Sequence, residues 1–310
     1  MNEAQNVEIL MTTYNGLPYL QEQLDSLLAQ NWTAWHLTIS DDQSSDGTVA
    51  LLRAYAAKWP KKITLLQHDR SFGNARDHFY FLMEKCTAQY IMFCDQDDVW
   101  HSDKIKKTMK AMLAAEAKEG RDMPILVFSD QTPTDAQLKP LAGSLMAMQC
   151  QNPDVIDYRR ILIQNIVTGC AAGVNRALVD KALACKSMAE TIMHDWWIAV
   201  VAARFGRVIY IDESTMSYRQ HANNSVGAKK VMSVRHVIGK LCALPQVQQS
   251  IFLKKQQAKV FRDTYLNELS QADQDFLRGY IKKKSGLQFY IRHRSLFGRG
   301  IQWIGMVILG

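Results

Sequence analysis

The feature that most constrains this chain is the regular alternation of short apolar runs with amphipathic segments through its first 130 or so residues. VEILMTTY (7–14), HLTIS (36–40), ITLLQ (63–67), YIMFC (90–94) and ILVFS (125–129) are runs of strand length, too short for buried helices. Between them the spacing changes to that of helices. Pro18 suits a helix first turn, and Leu20, Leu24, Leu27 and Leu28 follow at helical intervals. Ser44, Ser45 and Asp46 offer N-caps to a helix reaching about Lys58, Gly73-Asn74 opens one reaching about Lys85, and another spans 103–118. Strand alternating with helix predicts an α/β fold with a mainly parallel sheet and right-handed crossovers. Ligands of such sheets lie beyond the carboxyl ends of the strands.

Acidic residues cluster at those ends. Asp41-Asp42 closes the second strand, where a carboxylate can accept from a ribose hydroxyl or from a pyrimidine imide N–H. Asp95-Gln96-Asp97-Asp98 closes the fourth. Carboxylates this dense repel one another unless a cation compensates, and hard oxygen ligands suit Mg²⁺ or Mn²⁺, commonly shared with a diphosphate. The bland reading of both clusters is an acidic turn capping the next helix. MTTYNG lacks the glycine pattern of a dinucleotide site, and no P-loop is present, so nicotinamide, flavin and ATPase chemistry lose support.

Beyond residue 150 the alternation loosens. QNIVTGCAAGVNR (164–176) reads as a helix end, a strand of small residues and a turn. A helix over 194–205 opens on His194-Asp195-Trp196-Trp197, a strand spans 207–211, and SYRQHANNS (217–225) is a polar loop after a further short strand. Asp195 is either a helix cap or, in a desolvating cleft, a general base. Trp faces suit sugar stacking, and Tyr218, Arg219 and His221 form a cation-rich loop able to close over a diphosphate.

Charge divides the chain into a body, 1–225, and a tail, 226–310. The tail holds 15 of the 37 Lys and Arg but only 4 of the 30 Asp and Glu. The six cysteines stand singly with no CxxC pair, as buried thiols of a reducing compartment do. Neither a secretory leader nor an apolar run long enough to span a bilayer is visible, so a cytoplasmic protein is expected.

The order of the motifs MTTYNG (11–16), ISDDQSSDGT (39–48), GNARD (73–77), FCDQDDVW (93–100), TGCAAG (168–173), HDWW (194–197) and YRQHANNS (218–225) resembles the inverting family 2 glycosyltransferases of GT-A fold. The resemblance spans about residues 5–225. It implies a GT-A catalytic domain over 1–225 with a helical C-terminal extension. Thr12, Tyr14, Asn15, Asp42, Arg76, Asp95, Gly169, Arg219 and His221 would bind the nucleotide-sugar. Asp97 would be the ligand of Mg²⁺ or Mn²⁺, Asp195 the base that deprotonates the acceptor hydroxyl, and His194, Trp196 and Trp197 contacts to acceptor or sugar. Many members carry Glu-Asp where this chain has His194-Asp195, so what tunes the base is open. HDWW and the YRQHANNS stretch are most similar to the bacterial rhamnosyltransferase branch. That likeness implies transfer of L-rhamnose from dTDP-L-rhamnose to a saccharide or polyprenyl-diphosphate-linked saccharide in cell-surface polysaccharide synthesis.

The tail carries Lys282, Lys283, Lys284, Arg292, Arg294 and Arg299 among Phe289, Tyr290, Trp303 and aliphatic residues. This pattern predicts an interfacial helix on the inner face of the cell membrane, with an oligomerisation face or a helix docked on the body as alternatives. Nucleic acid is not expected as a partner, because no recognised binding motif accompanies the charge. Two other functions compete with sugar transfer: a phosphatase-type hydrolase using Asp95 and Asp97, and a non-catalytic nucleotide-binding membrane adaptor.

Overall fold

The computed structural model describes residues 6–153, 156–221 and 244–282. Its strands are β1 (Val7–Thr13), β2 (Trp35–Asp41), β3 (Ile63–Leu66), β4 (Tyr90–Cys94), β5 (Val99–Trp100), β6 (Ile125–Thr134), β7 (Ala172–Asn175) and β8 (Arg207–Arg219). They form one sheet in the order β3-β2-β1-β4-β7-β6-β8-β5. The β3-β2-β1-β4 half is parallel throughout. β7 is antiparallel to both β4 and β6, whereas β8 runs parallel to β6. Register sets Thr13 beside Asp41 and Met11 beside Cys94, so the carboxyl ends of β1, β2 and β4 adjoin.

The sheet is covered on both faces, which is why the five residues of β4 are all apolar and all buried. Ile91 and Phe93 point into one core, with Leu10, Leu126 and Phe128. Met92 and Cys94 point into the other, with Ile9, Met11, Ile39 and Val127. α1 (Leu17–Leu28) begins with Pro18 in its first turn and buries Leu20, Leu24 and Leu27 completely. α2 (Thr48–Lys58) and α3 (Ala75–Lys85) complete the crossovers, with the Asn74 side chain capping α3 by accepting from Asp77 N. α4 (Lys104–Glu119) lays Ile105, Met109 and Met112 on the second core.

α5 (Leu145–Met148) and α6 (Tyr158–Ile163) precede β7; α7 (Arg176–Leu183) and α8 (His194–Phe205) follow it. The helical C-terminal region comprises α9 (Leu244–Tyr265) and α10 (Gln271–Lys282), which dock on the first core through Ala258, Phe261, Tyr265, Phe276 and Leu277. Asp273 fastens this packing. Its buried carboxylate accepts from the hydroxyls of Tyr158 (2.6 Å) and Ser270 (2.7 Å) and from Arg159 and Arg204 (both 3.0 Å). Although burial opposes ionisation, these donors hold the carboxyl well below its usual range.

Three local expectations need correction. The residue before α2 is Gly47, in the left-handed region at φ 97°; Ser44 serves the neighbouring β1 loop, while Asp46 serves both, accepting from Thr48 N (3.0 Å) at the start of α2 and from Leu17 N (3.1 Å). β6 continues past Ser129 to Thr134. The two short strands expected between 207 and 217 are one strand, β8, with register shifts opposite Asp130 that let it bend without breaking. Among the described residues no helix is long and apolar enough to cross a membrane. The basic stretch from Lys283 onward, with the expected interfacial helix, lies outside them, as do residues 222–225 of the polar loop.

Candidate active site

A cavity of about 660 Å³ opens beyond the carboxyl ends of β1, β2 and β4 and reaches the start of α8. Thr12, Tyr14, Asn15, Asp42, Asp95, Asp97, Gly169, His194, Asp195 and His221 all line it. Residues more than 200 positions apart thus meet at the one place the topology favours for a ligand.

The β1 end is held by side chains. Consecutive backbone amides are taken by other loops: Tyr14 N by Gln96 Oε1 (2.9 Å), Asn15 N by Ser44 Oγ (2.8 Å), Gly16 N by Thr48 Oγ1 (2.9 Å) and Leu17 N by Asp46 Oδ2 (3.1 Å). At the start of α1 itself Leu17 N is thus taken, Pro18 has no N–H, and Tyr19 N and Leu20 N bind Gly16 O (3.1 and 3.0 Å), so that helix end is already satisfied. The adjacent acids also have structural partners. Asp41 accepts from the hydroxyls of Thr13 and Ser44, both at 2.7 Å. Asp42, buried, accepts from Phe72 N (2.6 Å) and Gly73 N (2.8 Å), which pins the 72–73 loop over the cavity. Gly73 sits there at φ 68°, a conformation that favours glycine. Each Asp42 oxygen keeps lone-pair capacity for a further donor.

At the β4 end, Asp98 is fully buried and accepts from Arg219 N (3.0 Å), while its Oδ2 has no hydrogen-bond partner. His221 Nε2 lies 2.7 Å from Asp97 Oδ2. Ligand-capable atoms of Asp95, Asp98 and Cys170 lie within 4.8 Å of one another. Burial, then the charge of Asp97, pushes the Asp95 carboxyl up to about 7; burial and the same neighbours push Asp98 well above its usual range. Three crowded carboxylates, Asp95 and Asp98 with a depressed tendency to ionise and Asp97 facing an imidazole, fit a hard divalent cation, which would relieve their repulsion. Asp97 would hold it, with Asp95 and His221 beside it.

At the other wall, Asp195 stands in the first turn of α8. Its Oδ2 accepts from Gly169 N (2.9 Å) and its Oδ1 from Trp196 N (2.5 Å). Burial outweighs these bonds and raises the carboxyl to about 6. Gly169 leaves little room for a side chain, since an added Cβ would lie 3.0 Å from His194 Nε2 and 3.4 Å from Asp195 Cβ. His194 packs between Phe79 and Phe93, with ring centroids 4.1 and 5.1 Å away. Neither of its ring nitrogens has a hydrogen-bond partner, and burial drives it down to about 3, so the ring is neutral.

Four expected site residues point elsewhere. Trp197 is completely buried, its indole beside Phe261 and Tyr265 and its Nε1 donating to Ala182 O (3.0 Å). Trp196 donates to Ile161 O and lines a shallower groove with Ile192, Gln249, Ser250 and Leu253. Arg76 is engaged by Asp77 and by Thr191 O (2.7 Å), outside the cavity lining. Arg219, 2% exposed, is a clamp and not a cavity wall. Its guanidinium binds Asp97 O (2.7 Å), Ala136 O and Glu22, and lies over the Tyr19 ring at 4.6 Å. Sequence reasoning missed Gln96, His78 and Phe79, which also line the cavity. His78 and Phe79 are one helical turn past the Asn74 cap, a spacing that marks them as inward-facing.

This architecture defines a GT-A-like α/β fold, the class of nucleotide-diphospho-sugar transferases, with a mostly parallel sheet flanked by helices and a helical C-terminal region. The family model for Glycosyl transferase family 2 matches residues 8–181, and the chain belongs to that family. It is similar to the dTDP-rhamnosyl transferase RfbG of Shigella flexneri, at 30% identity over 234 residues, covering 70% of this chain and 74% of that protein. Among solved structures, S. aureus TarS 1-349 in complex with UDP-GlcNAc aligns with TM-score 0.59 and 15% identity, over 97% of this chain and 79% of that one. The mannosyltransferase PcManGT from Pyrobaculum calidifontis, in complex with GDP-Man and Mn²⁺, aligns with TM-score 0.54 and 14% identity, over 98% of this chain and 85% of that one. At these identities the structural likenesses establish the fold alone.

Proposed function

We propose that this glycosyltransferase moves L-rhamnose from dTDP-L-rhamnose to a saccharide hydroxyl with inversion at the anomeric carbon. The observation that carries the reading is the shared cavity: Asp195, with a carboxyl raised to about 6, lines it together with Asp42 and Asp97. Asp42 would receive the imide N–H of the base, and the Thr12–Asn15 segment the nucleoside. Asp97, with Asp95 and His221, would hold Mg²⁺ or Mn²⁺; such a cation, when bound, neutralises diphosphate charge. Asp195 takes the proton of the acceptor hydroxyl as its oxygen bonds to the anomeric carbon. The bond from that carbon to the diphosphate oxygen breaks, and the nucleoside diphosphate leaves with the electron pair. A base with a pKa of about 6 is ionised at neutral pH yet far more basic than an ordinary aspartate.

Similarity to RfbG supports rhamnose as the sugar and dTDP as its carrier. The basic, aromatic sequence after residue 282 supports an acceptor presented at the inner membrane surface on a lipid carrier. The test is a panel of dTDP-L-rhamnose, UDP-GlcNAc and GDP-mannose, each with and without Mn²⁺, followed by NMR of the product's anomeric configuration. Inverted rhamnoside from the first donor alone is expected. Turnover of another donor in its place overturns the rhamnose assignment, and a retained configuration overturns the role of Asp195.

A further inference from the structure

The last paired residues of β1 and β4 are Met11 and Cys94; past them β1 runs on to Thr13 beside β2, while β4 gives way to the acidic turn. A side chain bridges the gap. Gln96, the residue between Asp95 and Asp97, accepts from Tyr14 N at Oε1 (2.9 Å) and donates from Nε2 to Tyr14 O (3.0 Å). One planar amide thereby satisfies both main-chain groups of Tyr14 across the gap between the ends of β1 and β4. The fit is demanding: Glu has the length but no donor, and Asn is one methylene shorter.

Gly16 gives an independent sign that this contact is built in. A Cβ there would lie 2.2 Å from Gln96 Oε1, 2.5 Å from its Cδ and 3.1 Å from its Nε2, the three nearest atoms it would meet. The backbone at Gly16 is ordinary, with φ −96°, so any residue could adopt it. The glycine is required for room, and the room is filled by the Gln96 amide.

We infer that Gln96 is a positioning residue that ties the nucleoside-facing end of β1 (Thr12–Tyr14) to the acidic turn Asp95–Asp97, so that the two halves of a nucleoside diphosphate site keep a fixed spacing. This rests on the nucleotide-sugar reading above. A ligand that reaches both halves gains from the fixed spacing, whereas one that occupies only the nucleoside half does not.

The test is calorimetric titration of the wild type, Gln96→Ala, Gln96→Glu, Gly16→Ala and the Gly16→Ala/Gln96→Ala double variant. Each is titrated with dTDP and with dTMP, in the presence and absence of Mn²⁺, and its ligand-free melting temperature is recorded. Both Gln96 variants should bind dTDP about tenfold more weakly while their dTMP affinity stays within about twofold. Gly16→Ala should displace the amide and reproduce that loss, and the double variant should be no weaker than either single one. Gln96 variants that bind dTDP as the wild type does overturn the inference, as does a Gly16→Ala loss that adds fully to that of Gln96→Ala. A wild type that binds no nucleoside diphosphate removes the underlying reading and the inference with it; a failure confined to the variants removes the inference alone. Should Gln96→Ala melt early, the isosteric Gln96→Glu and the Gly16→Ala variant carry the same comparison.

Discussion

The two walls of the cavity are built on opposite principles. On the nucleoside side the polar groups are engaged. Asp41 and Asp42 accept from hydroxyls and backbone amides, and four successive amides from Tyr14 to Leu17 each have a side-chain partner. On the base side burial outweighs the hydrogen bonds that are made. Asp195 rises to about 6 despite two amide donors, and His194 buries both ring nitrogens without a hydrogen-bond partner. A satisfied wall presents a fixed shape for a ligand to recognise, whereas a dry wall keeps a carboxylate reactive. The first favours binding and the second chemistry.

Asp195→Asn tests that division most severely. Loss of a general base typically costs about 10²–10⁴ in rate, so kcat should collapse by that order, while donor affinity, set on the other wall, stays within about twofold. Transfer kinetics and a donor titration on the same sample measure both. Donor affinity falling in step with kcat would abolish the distinction between the walls. Asp97→Ala should do the reverse, weakening metal-assisted dTDP binding by about 10–100-fold while leaving dTMP binding unchanged, because its carboxylate serves the diphosphate end.

How much of this contrast was legible in the sequence follows the same line. The nucleoside wall is written in strand grammar: apolar runs ending in acids place Asp42, Asp95 and Asp97 together once the sheet is parallel. What was misread there was the use of polar loop residues. Ser44 and Asp46 have cap chemistry, and only the fold reveals that Ser44 serves Asn15 instead and that Asp46 serves Leu17 as well as Thr48 at the start of α2. The base wall was less legible because its residue types are ambiguous. Asp195, Trp196 and Trp197 sweep about 200° of a helix, at about 100° per residue, so they cannot all face one cavity. That arithmetic would have assigned Trp197 to the core. Arg219 looked like a diphosphate ligand because sequence cannot tell a guanidinium aimed at a ligand from one spent on carbonyl groups. The continuous β8 was hidden by the bend opposite Asp130, which reads as an interruption.

Acid should act on the base wall through Asp195. The base must be ionised, so with saturating Mn²⁺ present to relieve the repulsion that raises Asp95 to about 7, log(kcat/KM) should fall with unit slope as pH drops below about 6, and Asp195 should be the group responsible. Stability runs the other way for this residue. A folded pKa raised above the unfolded value penalises the native state fully above about pH 6, and the penalty fades as pH falls toward 4. Asp195→Asn loses one amide acceptor at every pH, since its NH2 cannot accept from Gly169 N or Trp196 N, so the pH dependence carries the prediction: its melting temperature relative to the wild type should rise by a few degrees from pH 4 to pH 7.5. A scan of melting temperature against pH reads this directly. A difference that stays constant between pH 4 and pH 7.5 would mean that the carboxylate is not held at a cost.

The smallest expected effect is the most discriminating for the dry wall. His194 is buried between Phe79 and Phe93 with its nitrogens unpartnered, so a phenyl ring should replace it at little cost or a slight gain, within about 1 kcal/mol at neutral pH. The sign in acid is fixed by the depressed pKa. Below about pH 6.5 the unfolded chain takes up a proton that the folded imidazole refuses until about pH 3, so the wild type loses stability that His194→Phe keeps. The gap between the two melting curves should widen from pH 7 to pH 4, opposite in direction to the Asp195→Asn gap. If both variants moved with pH in the same direction, the base wall would not be a desolvated surface at all, because burial must raise a carboxyl and lower an imidazole together.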